Sequence, residues 1–240
     1  MLIKPKDINL NNEENNPLVQ LEAAEQYEKA SSVGDIKSYP SLELVRLEKI
    51  FFNEKKGKLL EYGFGGGPNT IHLLKCGYKV YGIDVSLSAL ERTKKRISEI
   101  KDINQPEFFL LKKNAKKIPF DDNVFDKIVA MSVISLLGSE KKIRYLFSEF
   151  QRILKPEGKI IIDINDHQSE FSQNKKQKEK NVFLSKIVDK EIRCFCLKSE
   201  EDFINLVKPY FTVVDSGFSS HKVFGRQITE FIICGKNKKF

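Results

Sequence analysis

The sequence predicts an α/β protein in which a mostly parallel sheet is covered by helices on both faces. Three observations carry that expectation. From Gly57 onward, short apolar segments alternate with amphipathic ones, the pattern of doubly buried strands joined by helices. A glycine run, Gly63 to Gly67, closes the first apolar segment, where a tight turn into a helix needs backbone freedom. The composition also agrees. The 240 residues are 40% apolar and 31% charged, enough for one sizeable core and too apolar for a wholly disordered chain.

The elements follow in order. Residues 1–18 are rich in Asn and Glu and read as a loose tail, and 19–30 as a short helix. Pro40 precedes Ser41, an expected N-cap, and Leu44, Leu47 and Phe51 follow at helical spacing. Residues 59–60 form the first strand. Pro68 suits the first position of the next helix and Gly77 its stop. Residues 80–83 are the second strand. Ser88-Ala-Leu-Glu91 reads as a capping box, opening a helix with Leu90, Ile97 and Ile100 on one face. Residues 108–111 and 128–131 are strands three and four. Ser139 opens a helix carrying Ile143, Leu146, Phe147, Phe150 and Leu154, and Pro156-Glu-Gly158 turns into strand five at 160–164.

Residues 167–198 break the rhythm. They are Lys- and Gln-rich at first and strand-like from Asn181 to Cys196, and read as an insertion that covers the substrate. Ser199 caps a helix with Phe203, Leu206, Val207 and Tyr210. Two strands close the chain at 211–215 and 228–234. No helix separates them, so they are expected to pair antiparallel. The division that results is 1–56, a tail and helices over the cleft, and 57–240, the main domain with its insertion at 167–198.

Lys and Arg number 41 against 33 Asp and Glu, a net charge of +8, and only seven of the 41 are Arg. Such scattered Lys suits a solvated surface or an anionic partner. It argues against sequence-specific nucleic-acid readout, where the Arg fork is preferred. Cys76, Cys194, Cys196 and Cys234 form no CxxC pair, and His number three, so free thiols and no metal are expected. The N-terminus lacks the apolar core of a secretory signal, and no run approaches the ~18 apolar residues of a membrane span. The expectation is a cytoplasmic protein.

The most informative segment is Leu59-Leu-Glu61-Tyr-Gly63-Phe-Gly65-Gly-Gly67-Pro68. Glycines here let the backbone approach a ligand closely. Pro68 stands where a dinucleotide fingerprint needs its third glycine. Glu61, two places before the first glycine, would repel a pyrophosphate and suits a ligand with a cationic amine. Asp84 ends the second strand 21 residues after Gly63, and a carboxylate there can accept both hydroxyl hydrogens of a ribose.

The run E-x-G-x-G-x-G resembles motif I of the class I S-adenosylmethionine-dependent methyltransferases. The likeness extends in order from Gly57 to Asp163, through Asp84, Lys113-Asn114-Ala115, Phe125-Asp126 and Leu154-Lys-Pro156-Glu-Gly158. It implies a Rossmann-like, doubly wound, seven-stranded sheet with an antiparallel last strand between strands five and six. It also implies S-adenosylmethionine as cofactor, with S-adenosylhomocysteine as product. Glu61 would lie under the cofactor's amino-acid part, the Gly63 and Gly65 backbone along it, Asp84 at its ribose and Val85 at its adenine. Asn114 and Ala115 would meet the adenine edge, and Met131 would close the cofactor site at the end of strand four. Asn114 replaces the family's usual Asp, and its amide oxygen can still accept a hydrogen bond.

Methyl transfer to a hydroxyl needs a base. His167, just past strand five, is the candidate from the sequence. His72 reads as structural, and His221 has no assigned role. Tyr27 and Tyr39 are candidates for the cleft cover. The loop after strand four lacks the Asn/Asp-Pro-Pro-Tyr used on exocyclic base amines. The expected acceptor is a small molecule, a sugar or nucleotide-linked sugar hydroxyl, with an anionic carrier suiting the basic surface. An RNA or protein methyltransferase and a non-catalytic cofactor-binding module stay open as alternatives, and the oligomeric state is undetermined.

Overall fold

A computed structural model of the chain describes residues 16–34, 37–223 and 226–238. Seven strands make one sheet. They are β1 (Lys58–Tyr62), β2 (Lys79–Asp84), β3 (Glu107–Leu110), β4 (Phe125–Ala130), β5 (Leu154–Asn165), β9 (Phe211–Val223) and β10 (Arg226–Asn237). Their spatial order is β3-β2-β1-β4-β5-β10-β9. The first five run parallel, and β10 pairs antiparallel with both β5 and β9. The expected sheet, its reversed last strand included, is therefore present. Between β5 and β9 a second, three-stranded antiparallel sheet is built from β6 (Lys176–Glu179), β7 (Val182–Lys186) and β8 (Glu191–Phe195).

Period-two alternation assigns the faces. Leu60, Ile83, Ile128, Ile160 and Ile162 pack on one side, against Ile143, Leu146, Phe147 and Phe150 of α5 (Glu140–Ile153) and Phe203 and Leu206 of α6 (Glu200–Val207). Leu59, Val80, Val129, Met131, Ile161 and Ile232 pack on the other, against Leu73 and Leu74 of α3 (Pro68–Lys75) and Ile97 of α4 (Leu87–Ser98). Burying each of these side chains fully stabilises the fold by about 1.5–3 kcal/mol. Glu61 is two residues beyond Leu59, Asp163 two beyond Ile161, and Glu230 two before Ile232. The same alternation carries all three acids to the α3 face, at the carboxyl end of the parallel strands.

The N-terminal part holds α1 (Leu21–Val33) and α2 (Leu42–Leu47), which runs on into a π-turn at Glu48–Phe52. Positions 1–15 of the expected tail lie outside the described residues. Position 18 corrects the rest of that expectation, because Leu18 is only 1% exposed in the main core and its carbonyl accepts the Tyr62 hydroxyl at 3.1 Å. Helix α1 is tied to the small sheet. The Gln26 amide oxygen accepts N–H bonds from Val188, Asp189 and Lys190 at 3.2, 3.0 and 3.1 Å. Gln20 exchanges bonds with the Arg193 backbone at 2.8 and 2.9 Å.

Three local expectations change. The cap of α4 is Ser86, whose hydroxyl oxygen accepts the Ala89 N–H at 3.0 Å. Ser88 instead turns its N–H and hydroxyl to Glu28 of α1, so a tertiary partner takes the capping-box serine. Ser41 precedes α2 but makes no side-chain cap; its hydroxyl goes to Glu43 at 3.0 Å. Pro156-Glu-Gly158 is absorbed into β5 as an irregularity opposite β4, with Glu157 at φ 58°, and Leu154 begins that strand rather than ending α5.

Candidate active site

Strand β1 delivers the chain into the glycine turn. Gly63 has φ 76° and donates its N–H to the Ile83 carbonyl at 2.8 Å. A Cβ on Gly63 would lie 2.6 Å from Val133 Cγ2, and one on Gly67 2.4 Å from Thr93 Cγ2. Those glycines are required by protein packing. Gly65 differs, because at φ 52° its missing Cβ would meet nothing within 4 Å. That open space leaves room along the turn. Thr93 donates to the Gly65 carbonyl at 3.0 Å and Arg96 to the Gly66 carbonyl at 2.5 Å, which hold the loop from α4.

Glu61 lies under this turn and is 1% exposed. Its Oε2 accepts the Thr70 hydroxyl, while Oε1 is buried without a hydrogen-bond partner. Burial, with a contribution from the Asp84 charge, pushes its carboxyl up to about 8. A buried acid with one unsatisfied oxygen is costly unless a donor completes it. Asp84 accepts the Gly65 N–H at 2.8 Å through Oδ2 and the Ser86 N–H at 2.9 Å through Oδ1. Its pKa is raised by burial against these bonds. Glycine turn and strand-end acid are thus joined directly. Val85 is half-buried against the main core.

The loop after β3 is held to the same end of the sheet by the Leu111 N–H, which donates to the Asp84 carbonyl at 2.7 Å. On that loop Asn114 is exposed and Ala115 half-buried. Met131, 5% exposed, follows β4 directly and packs on the Glu61 face. After it the chain turns sharply at Ser132, φ 58°.

Beyond Met131 stands a group that sequence reading missed. The Asp163 Oδ1 accepts the Ser132 N–H at 2.6 Å, and the Glu230 Oε1 accepts the Ser132 hydroxyl at 3.4 Å. Asp163 is 1% exposed, and its Oδ2 is buried without a partner. Burial and the neighbouring Glu230 charge hold Asp163 well above the usual carboxylate range. Glu230 is pushed to about 7 by burial and by Glu43, against the opposing Lys37 charge. The two acids are 67 residues apart and meet only through the β5–β10 pairing. The one sequence signal was polarity at positions where alternation calls for an apolar residue.

His167 is drawn into the small sheet. Its Nε2 lies 3.0 Å from the Cys196 carbonyl and 3.2 Å from the Asn181 side-chain oxygen, and its ring meets Phe183 edge-on at 5.0 Å. A carbonyl can only accept, so Nε2 carries the hydrogen in that contact. Tyr27 packs with Phe183, Ile192 and Cys194 of the small sheet. Tyr39 is 61% exposed beneath Lys37.

Residues 60–162 match a protein family described as "Methyltransferase domain". Within that stretch, less than half of its length, the chain resembles a methyltransferase domain. It is 30% identical over 112 residues to the YqeM protein of Bacillus subtilis, a stretch covering 46% of this chain and 43% of that one. It spans about half the length of the curated relatives it matches. Among solved structures, the domain resembles a SAM-dependent methyltransferase from Methanosarcina mazei with a TM-score of 0.68 at 20% identity, over 78% of this chain and 96% of that one. It also resembles the N-methyltransferase NodS of Bradyrhizobium japonicum in complex with S-adenosyl-l-homocysteine, with a TM-score of 0.63 at 13% identity, over 93% of this chain and 100% of that one. At these identities the structural likenesses speak for the fold. No described helix of the domain is long and apolar enough to cross a membrane.

Proposed function

We propose that the chain transfers a methyl group from S-adenosylmethionine to a small-molecule acceptor. The observation that carries this reading is the orphaned Oε1 of Glu61 beneath the open cradle at Gly65. A cationic amine is the group that satisfies a buried carboxylate oxygen at least cost. In this reading Glu61 holds the cofactor's ammonium and Asp84 its ribose hydroxyls. Val85, Asn114 and Ala115 would flank its adenine, and Met131 would close the site just past strand β4. When bound, S-adenosylmethionine supplies an electrophilic methyl on a sulfonium.

The protein's part is to align an acceptor with that methyl and to exclude water. The acceptor would take that methyl on a lone pair, and S-adenosylhomocysteine would be the product. A hydroxyl acceptor also gives up its proton. We assign that proton to the Asp163–Glu230 pair rather than to His167. Glu230 at about 7 is matched to a general base near neutral pH, and the pair is on the Glu61 face, across the Met131 strand end. A sugar hydroxyl fits this arrangement. Carboxylates at the acceptor end favour a neutral sugar there, with any anionic carrier directed out toward the Lys-rich surface.

The described residues of the 1–56 segment and residues 167–198 act in this proposal as the two halves of a cover. Ser38 is held by Arg96 at 3.0 Å, the Ser41 N–H by Asn69 at 2.8 Å, and Glu43 by Ser219 at 2.6 Å. Calorimetric titration with S-adenosylmethionine and S-adenosylhomocysteine tests the reading, alongside Asp84→Ala. Micromolar binding abolished by the substitution supports it. Absence of binding at millimolar concentration overturns it. A labelled-methyl screen of sugars and nucleotide sugars then tests the acceptor.

A further inference from the structure

A second constellation lies away from the cleft, where α3 meets the π-turn. Glu48, His72 and Cys76 bring a carboxylate oxygen, an imidazole nitrogen and a thiol sulfur together, and they are the one such group among the described residues. Cys76 Sγ is 3.3 Å from Glu48 Oε1 and 3.6 Å from His72 Nε2, and those two atoms are 3.8 Å apart. Zinc bonds of about 2.3 Å to sulfur and about 2.0–2.1 Å to nitrogen and oxygen set the edges of a tetrahedral face. At the tetrahedral angle those edges are about 3.5 Å, 3.5 Å and 3.3 Å. The observed triangle is within half an ångström of each.

We propose that Glu48, His72 and Cys76 form a zinc site with an open fourth position. The donor set of thiolate, imidazole and carboxylate belongs to a borderline-soft divalent ion rather than to calcium or magnesium. The outer shell is in place. Lys55 Nζ and the Tyr78 hydroxyl donate to the other Glu48 oxygen at 3.0 and 2.9 Å, which turns Oε1 toward the sulfur and nitrogen. His72 and Cys76 are half-buried, so an ion can enter, while Glu48 is buried. His72 and Cys76 sit four residues apart on α3, whose first turn continues the glycine loop, and Glu48 opens the π-turn after α2. An ion here would clip the cover segment to the cofactor-loop helix. The proposal does not rest on the methyltransferase reading.

The test uses the full chain stripped with a chelator, then titrated with zinc in competition with a chromophoric chelator and, separately, with cobalt(II). The expected result is one zinc per chain at micromolar affinity or tighter, and a cobalt spectrum with tetrahedral and thiolate bands. Cys76→Ser and His72→Gln should each weaken binding by about a hundredfold, with circular dichroism reporting that the variants fold. Zinc should also slow alkylation of Cys76 in the unmodified chain, a readout that needs no variant. Sub-stoichiometric binding, binding unchanged in both variants, or alkylation at one rate with and without zinc would each overturn the proposal.

Discussion

Thr70 donates its hydroxyl hydrogen to one oxygen of Glu61 and leaves the other oxygen of that carboxylate buried without a partner. Strand β1 and helix α3 are therefore joined by half of a site. Glu61→Gln keeps an oxygen for Thr70 and removes the buried acid. The free protein is expected to melt at a higher temperature, while affinity for S-adenosylhomocysteine falls at least tenfold, about 1.4 kcal/mol. Paired calorimetry and thermal melts check both, and an unchanged affinity removes Glu61 from the site.

The same carboxyl gives a pH signature. Its folded value of about 8 exceeds the ordinary 4.5, so between these values the folded state binds a proton that the unfolded state has lost. Its contribution to stability is then present below about pH 4.5 and declines as pH rises toward 8. A ligand ammonium favours the ionised acid, so cofactor binding should release protons below pH 8. Affinity should climb with pH, by up to about tenfold per unit. Titration in buffers of different ionisation enthalpy measures the release. Proton uptake would contradict the assignment.

Gly63 and Gly65 should respond differently to alanine. At Gly63 a Cβ strikes Val133, and the strain of a positive φ adds about 1–2 kcal/mol to an overpacking cost of about 1–3 kcal/mol. A fall of several degrees in Tm is expected. At Gly65 only the φ strain applies. Gly65→Ala should fold with a smaller loss of Tm and yet lose cofactor affinity, because its Cβ enters the cradle. Equal losses of affinity and stability in both variants would refute this division.

Glu230→Gln separates binding from turnover. On a hydroxyl acceptor kcat should fall by about 10²–10⁴, the range for a removed general base, with S-adenosylhomocysteine affinity unchanged. Single-turnover methyl transfer over a pH series measures it. Retained turnover would return the base role to another group.

What the sequence disclosed, and what it withheld, follows the range of the interactions. Strands β1, β2 and β4 and the glycine turn were readable because their signals are local. Leu59 and Leu60 mark a strand, Pro68 a helix start, and Asp84 a strand end. The choice of Ser86 over Ser88 as cap was not readable, since Glu28, 60 residues earlier, takes Ser88. Leu18 looked like part of a polar tail because nothing nearby shows that Tyr62 and the core receive it. The meeting of Asp163 and Glu230 was unreadable for the same reason, as only the pairing of β5 with β10 brings them together. The His72–Cys76 spacing was present in the sequence, but its third partner lies on another element.

The placement of β10 bears on how the chain is synthesised. Strand β9 joins the main sheet only through β10, which is made after it. While a ribosome has released residues 211–223 but not 226–237, β9 has no place in the sheet and the flank of β5 stands open. Asp163 then lacks the strand that carries Glu230. The meeting of Asp163 with Glu230 therefore waits for β10, and a nascent chain halted in this window would expose the flank of β5 to chaperones.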